Sequence, residues 1–573
     1  MKERREPCLS PLALKILKER YLLRDKERHV IETPYDMYRR VAETMGGQEK
    51  APAEQKEWTE RFLEGLLNLE WSPASPCLMN AGTPLQQLSA CFVLDIEDSM
   101  ESIFTTLKDA ALIYKTGGGV GFHFGKLRER GALVSTTKGY SSGTVAWLKV
   151  YDTAVEAIAQ GGKRRGAALG VLPVHHPDIL SWIKAKAIDR EITNFNLSVA
   201  ITDEFIRAVD RDEYFTLSSP LGHSVRQIPA RELWNELCYQ AWSTGEPGLF
   251  FIDRANRDNP NPHFGRIYGG NPCSEFLAVP YSSCNLASIN LEKHLRKLNG
   301  GWEFDWEKFR TTIHTVVRFL DNMIDANVLP LPKLQEMALA TRPIGLGFMG
   351  LARVLKALEL GYHTGEGRSF AQSMASFLRQ EAEAASRALA GERGVYPAWS
   401  GSLWEKKGVR LRHSNLLSIA PTGTIATLTN TSWSLEPEFA PVYQRRILGG
   451  KVFWEMDPQL EEKLKELDLD TPELRQELEK KGSIQEIKGI PQEIKNVFVY
   501  SLDIKPADHL KMQAVIQEYV DGAISKTINL PASATVAEVA QAYRLAYDLG
   551  LKGCTVYRQG TRLDQVLSLT KTK

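Results

Sequence analysis

Gly269–Leu286, GGNPCSEFLAVPYSSCNL, is the stretch from which the rest of the chain is read. Gly269, Gly270 and Pro272 favour a tight loop, and the segment has no helical amphipathicity. Inside that loop a thiol, Cys273, stands between a carboxamide, Asn271, and a carboxylate, Glu275. A second thiol, Cys284, follows, and a third, Cys91, lies far upstream in LSACFVL. A lone cysteine is most often inert core. One held in a turn beside a possible proton acceptor is a candidate reactive group.

The bulk numbers exclude several classes. A chain of 573 residues exceeds one hydrophobic core, so one large elaborated domain or several smaller ones are expected. Its 43% hydrophobic and 25% charged residues are ordinary for a soluble globular protein. Lys+Arg of 71 against Asp+Glu of 70 leave +1, so no nucleic-acid partner is expected. The first residues, MKERREPCLS, are charged and carry no signal core. No run approaches the length of a membrane span, so no membrane partner is expected. Seven cysteines without a CxxC form neither a secreted disulfide framework nor a zinc site, so no metal site is expected and the chain reads as cytoplasmic.

Residues 1–70 read as an N-terminal helical region, with Leu9, Leu12, Leu14 and Leu17 near helical spacing and a second helix at about Glu54–Leu67. Residues 71–562 alternate strand-like runs with helices, which argues for an α/β sheet or barrel. The strand-like runs include NFNLSVAI, NLLSIAPT and NVFVYSLDI, and a helix is expected over 505–523. Residues 457–496 form a charged, helix-rich excursion, and 563–573 a short tail.

One radical-capable thiol, one proton-transfer carboxylate and a separate pair of reducing thiols are the parts needed to remove a hydroxyl from a sugar. The loop NPCSE, the stretches SACFVL and SSCNLASINL, and GGGVGFHFGKLR, GGKRRGA, TNFNLSVAITDEF and SKTINLP together resemble the large catalytic subunit of ribonucleotide reductases. The resemblance covers about residues 9–562 and is closest to the adenosylcobalamin-dependent class. It implies a ten-stranded α/β barrel of two five-stranded halves with Cys273 on a central finger loop. It implies reduction of ribonucleoside diphosphates or triphosphates, the two being left open, with adenosylcobalamin as cofactor. Cys273 would become the radical that takes the ribose 3′-hydrogen, Glu275 the base, and Asn271 the hydrogen-bonding partner of the sugar. Cys91 and Cys284 would be the dithiol that closes to a disulfide each turnover.

The same resemblance places substrate contacts at Ser75, Ala90, Cys91, Gly119, Asn271, Pro272, Cys273, Ser274 and Glu275. It adds a phosphate turn at Pro421, Thr422, Gly423, Thr424 and Ile425. Small hydroxyl-rich turns leave N–H groups free for an anion, though such turns are common. A deoxynucleotide effector would bind Asp98, Ser99, Met100 and Arg128 at a homodimer interface. Lys163, Arg164 and Arg165 would lie in the loop relaying effector identity; the plain alternative is a solvated basic turn. Cys8, Cys77, Cys238 and Cys554 are left as structural.

Two motifs are read as decoys. GLGFMG (Gly345–Gly350) satisfies G-x-G-x-x-G but follows no buried strand and is read as close helix packing. His175 and His176 are read as a surface turn. Relatives that take their radical from a partner carry two adjacent tyrosines near the C-terminus; here Tyr557 is followed by Arg558, which cannot be oxidised. Two rivals stay open: a catalytic subunit needing a separate di-metal radical partner, and a silent nucleotide-binding regulatory paralogue. The intact cysteine set argues against the second. No cysteine follows Cys554, so re-reduction is expected from a separate polypeptide, a thioredoxin-like reductant, or a longer natural chain. The activity-setting nucleotide domain of many relatives would precede residue 10, so on/off control of that kind is not expected. No D-x-H-x-x-G occurs, so a histidine-ligated cobalamin is not expected.

Overall fold

Strand parity builds a barrel wall around residues 71–558. The structure is a computed structural model that describes residues 4–159, 167–187, 191–298, 300–447, 451–561 and 567–568. A short strand β1 (Trp71–Pro73) leads into β2 (Cys91–Asp95), β3 (Gly119–His123), β4 (Ala168–Pro173) and β5 (Phe195–Ile201), the last four parallel in that order. After a separate hairpin of β6 (Tyr214–Ser218) and β7 (Ser224–Pro229), β8 (Gly248–Phe251) adds parallel to β5. Then β9 (Ser283–Asn290) runs antiparallel to β1 and β2. A hairpin of β10 (Leu295–Leu298) and β11 (Gly301–Phe304) precedes β12 (Ile344–Met349), which is parallel to β9.

A hairpin of β13 (Val442–Ile447) and β14 (Lys451–Met456) stands off the ring. Beyond it, β15 (Thr527–Leu530) and β16 (Gly553–Arg558) are parallel, and β16 closes antiparallel onto β8. The residues of β17 (Leu567–Ser568) join β13. The remaining gap, from β12 to β15, is spanned by the extended run 415–420. It bridges to β12 at Leu417–Leu346 and to Ile524 at Ile419, both in parallel. Backbone N–H groups of Leu346, Ile419 and Ser525 donate to Leu416, Ala523 and Ile419 at 2.9, 3.2 and 2.9 Å. The wall is therefore two parallel halves, β2-β3-β4-β5-β8 and β9-β12-(415–420)-β15-β16, set antiparallel to each other. This is the expected ten-stranded barrel.

Alternation along each strand decides what faces the interior. Phe92 and Leu94 of β2 and Val120 and Phe122 of β3 pack outward, into one apolar cluster with Ile103 and Ile113 of the helix Met100–Lys115. Their neighbours Cys91 and Val93 share a small inner cluster with Cys284 and Leu286 of β9. Parallel strands covered on both sides read as apolar runs, and ALGVLP of β4 is such a run.

The N-terminal helices Pro34–Gly46 and Pro52–Leu67 pack with Trp306–Ala326 and Gly365–Arg393 in a second large core. Charges join these helices too. The fully buried Asp321 accepts from Arg342 at 2.6 Å, Arg393 at 2.8 Å, and Arg412 and His413 at 3.1 Å. Arg393 and Arg318 also donate to Glu49, at 2.5 and 2.6 Å. Burial would raise the Asp321 pKa, but the His413 hydrogen bond and the surrounding cations outweigh it and hold the carboxyl well below its ordinary range. A carboxylate with a depressed folded-state pKa stabilises the fold above its unfolded value, about 3.9, and loses that contribution as pH falls through the folded value. Asp321→Asn is expected to cost about 3–5 kcal/mol at neutral pH, because it leaves arginines buried without their anion. The gap to wild type should narrow in acid; urea unfolding at pH 7 and below pH 4 measures it.

Four sequence expectations change. NVFVYSLDI is no strand: Val499, Tyr500 and Ile504 are buried from irregular chain, so its apolarity reflects packing and not pleating. The helix expected over 505–523 ends at Gln517, and Gly522–Ser525 instead serve the ring. GLGFMG is itself the interior strand β12, and a β-carbon at Gly347 would fall 2.8 Å from the Ser418 carbonyl oxygen. His175–His176 is a turn, but His176 is buried and bonds the Leu127 carbonyl at 2.8 Å.

Candidate active site

The loop after Tyr268 threads the barrel instead of lying on its surface. Gly269 stands against Val171 of β4, Gly270 against Gly121 of β3, and Pro272 against Gly119 of β3. A β-carbon at Gly121 would lie 1.8 Å from the Gly270 carbonyl oxygen, so two backbones meet where a side chain cannot fit. The tip is a tight turn: Ser274 N–H donates to the Asn271 carbonyl at 3.0 Å, and Ser274 takes a φ of +70°. The loop then returns, bridging Gly270 to Leu277, with Asn271 N–H donating to Phe276 at 3.1 Å. Ala523 N–H donates to the Glu275 carbonyl at 2.8 Å and ties the finger to the second half-barrel.

Three of the five predicted catalytic side chains are linked by direct contacts, and a fourth is set opposite one of them. Asn271 accepts from Phe276 N–H at 2.9 Å, which aims its Nδ2 at Cys91 Sγ, 3.0 Å away. Cys91 Sγ in turn lies 3.4 Å from Glu275 Oε1. Cys91 and Cys284 are directly opposed across the antiparallel β2–β9 pair. Opposed residues share a face, with Cα atoms about 4.5–5.5 Å apart. That spacing allows a disulfide without moving either strand. Both stand as unlinked thiols. Burial, reinforced by the Glu275 carboxylate, pushes both pKa values well above the ordinary thiol range, so at neutral pH each carries its proton. Asn271 and Glu275 are buried, whereas Cys273 at the tip is exposed.

What Cys273 is exposed to is a cavity of about 860 Å³. Its walls include Ser274, Leu197, Glu246 and Tyr557 from the barrel, Thr427 and Trp433, and Arg445, Phe453 and Trp454 from the β13–β14 hairpin. Half-exposed Trp454 gives this wall a broad apolar face. Arg445 is buried and stacks 5.1 Å over Trp433; its Nη1 donates to Thr427 at 2.6 Å, yet its Nε has no partner among the described residues. A large, apolar-walled chamber with a spare donor fits a flat, amide-edged macrocycle, and among the described residues none of those lining it is a histidine. Arg558 is turned elsewhere, donating to Trp242 O at 3.0 Å with its cation 4.3 Å over that ring.

The other predicted positions spread from this centre. Ala90 and Ala74, the neighbour of Ser75, pack against the cluster holding Cys91, Cys284 and Ala420. Ser75 Oγ meets Tyr21 Oη at 2.7 Å, and the Ala90 carbonyl accepts from Gly119 at 2.9 Å. Pro421 follows Ala420, Thr422 stands at the N-cap position of the helix Gly423–Leu428 while its Oγ1 accepts from Ser434 N–H at 2.7 Å, and space beside Gly423 is open. Thr424 and Ile425 occupy the first turn. Asp98 pairs with Arg128 at 2.7 Å, beside Ser99, which caps the helix starting at Met100. Lys163, Arg164 and Arg165 lie outside the described residues. Sequence reading missed Gly121, Tyr268 and the hairpin wall; only the parity of GVGFH could have marked Gly121.

Comparison with known proteins bears on the family and the fold. A family model described as "Ribonucleotide reductase, barrel domain" matches residues 89–557, and one described as "Ribonucleotide reductase, all-alpha domain" matches residues 8–86. The chain is similar to a "Vitamin B12-dependent ribonucleoside-diphosphate reductase" of Thermoplasma acidophilum, with 41% identity over 97% of this chain and 80% of that protein. A protein of the same description from Mycobacterium tuberculosis (strain H37Rv) is 42% identical, over 100% of this chain and 80% of its own length. Among solved structures, the Actinobacillus ureae class Id ribonucleotide reductase alpha subunit superposes with a TM-score of 0.80 at 24% identity, covering 96% of this chain and 97% of that one.

Proposed function

The chain belongs to the ribonucleotide reductase large-subunit family, and from that premise we propose that it reduces ribonucleoside diphosphates to deoxyribonucleotides with adenosylcobalamin. The observation that carries the reading is the finger loop inside the barrel, with Asn271 and Glu275 each contacting Cys91 and Cys284 opposed to it. Bound adenosylcobalamin would supply the one-electron oxidant that removes the Cys273 hydrogen. The hairpin wall of Arg445, Phe453 and Trp454 would hold the cofactor beside Cys273.

With its hydrogen atom removed, Cys273 takes the 3′-hydrogen of the ribose. Glu275 accepts the 3′-hydroxyl proton, and Asn271 hydrogen-bonds the sugar oxygen where charge develops. The 2′-hydroxyl leaves as water, carrying a proton from the Cys91–Cys284 pair. The two thiols give up two electrons and their second proton, which form the new C2′–H bond as the disulfide closes; Glu275 returns its proton to O3′, and Cys273 returns hydrogen to C3′. Protonated thiols suit this step, because each must deliver hydrogen as well as charge. Ser75, Ala90, Gly119, Pro272 and Ser274 would frame the nucleoside, and Pro421–Ile425 would receive its phosphates at the helix start.

An effector deoxynucleotide would bind at Asp98, Ser99, Met100 and Arg128. Met100, Phe104 and Leu112 are exposed on the helix Met100–Lys115, and this apolar face supports a homodimer interface beside that pair. Among the described residues no helix is long and apolar enough to cross a membrane. A thioredoxin-like dithiol would reopen the disulfide.

The purified chain is expected to make deoxyribonucleotides from ribonucleoside diphosphates when adenosylcobalamin, an effector and a dithiol are the only additions. Failure there, with activity restored by a di-metal partner protein, would overturn the cofactor assignment.

A further inference from the structure

Asp95 and His123, which end β2 and β3, belong to a cluster that the proposed chemistry does not use. His123 Nδ1 lies 3.6 Å from Asp95 Oδ1. Its ring stacks on Tyr268, with centroids 4.6 Å apart and planes at 21°. Lys126 donates to Asp95 and, at 2.6 Å, to Glu97, while its ammonium stands 5.6 Å from the centre of the Tyr268 ring. Two residues on, Arg128 closes a second clasp on Asp98, through its Nε at 2.7 Å and its backbone N–H at 3.2 Å. The paired segments 95–98 and 123–128 thus hold the root of the finger loop at one end and the Asp98–Arg128 pair at the other.

We propose that His123 and Tyr268 position the finger loop, and that Lys126 couples this clasp to the Asp98–Arg128 pair so that effector binding adjusts the placement of Cys273. The coupling part rests on the effector reading given above. A phosphate reaching Arg128 competes with Asp98 for the guanidinium. Asp98 also holds the Arg128 backbone, so loosening it frees the segment that carries Lys126, whose ammonium is shared between Asp95 and Glu97. Tyr268 directly precedes Gly269, and the loop beyond it is held by the close packing of Gly270 on Gly121 of β3 and by the Ala523 N–H bond to the Glu275 carbonyl. Motion at the root is therefore delivered to the tip. Such a device sets the rate, through the thiol's position, and leaves base choice to other elements.

The test uses the full chain with adenosylcobalamin, a dithiol, and dATP, dGTP or dTTP as effector probes, each also measured for binding by equilibrium dialysis. Lys126→Met should bind the probe within about twofold of wild type and keep the effector-free rate. It should lose the effector's stimulation, a coupling typically of about 5–150-fold. Tyr268→Leu should lower kcat on the order of 10²-fold, the cost of about 1 Å of misplacement, with KM little changed. Tyr268→Phe, which keeps the stack, should restore it. Full stimulation in Lys126→Met overturns the coupling, and a wild-type kcat in Tyr268→Leu overturns the positioning role. If no probe binds wild type, the effector reading itself falls, while the Tyr268 variants still decide the positioning role.

Discussion

Cys273→Ser is expected to yield a folded protein that binds substrate and effector but makes no deoxyribonucleotide. The loss should be on the order of 10⁴-fold or more, as when the residue that carries the covalent chemistry is removed from an active site. Serine nearly keeps the volume, and the side chain sits exposed at a turn tip whose conformation is held by backbone bonds from Asn271 and Ala523. The fold therefore has little reason to respond. The hydroxyl O–H bond is too strong to be opened as a thiol S–H is, so no hydrogen-abstracting radical forms at this position. Product assays with equilibrium dialysis of nucleotide separate the two effects. Retained turnover would refute the radical assignment.

Cys91→Ser and Cys284→Ser should each eliminate multiple-turnover product with a dithiol reductant, for a different reason. The first hydrogen abstraction at Cys273 survives, but no thiol pair remains to supply the second electron. The sugar should then decompose and release its base, which is measurable as free nucleobase. A Cys91–Cys284 disulfide, found by mass spectrometry after one turnover of wild type without reductant, would identify the pair directly. Deoxynucleotide formation at the wild-type rate in either single mutant would show that the electrons come from elsewhere.

Much of this site could be read from the chain because its parts are short-range or marked by parity. Asn271, Cys273 and Glu275 lie within one turn, and Gly/Pro punctuation announces that turn. The opposition of Cys91 and Cys284 needed the register of two strands, which no local pattern encodes; only the resemblance paired them. Ring closure was hidden as well, since 415–420 and 522–525 make single bridges in place of ladders. GLGFMG looked unlike a strand because glycine is rare in strand interiors. Here the missing side chains make room for the Ser418 backbone and for Leu286 and Cys284. NVFVYSLDI misled in the opposite sense, being apolar for burial alone. The His123–Tyr268 stack joins residues distant in sequence, each unremarkable in its own segment.

The close meeting of Gly121 and Gly270 also constrains how the molecule comes together. Most barrels are filled by side chains, so their walls can form first and pack afterwards. In this one the centre is a later piece of the same chain, and the wall built from β2 to β8 stays an open trough until residues 269–277 enter it. Cys91 meets its partner only when β9 arrives, and the last gap waits for 415–420 and 522–525. Contacts so distant in sequence make folding slow and leave strand edges bare meanwhile. They also make it cooperative at the end, because the finger and the second half-barrel can only dock or leave together. How long a radical at Cys273 survives is then set partly by how seldom that half-barrel opens.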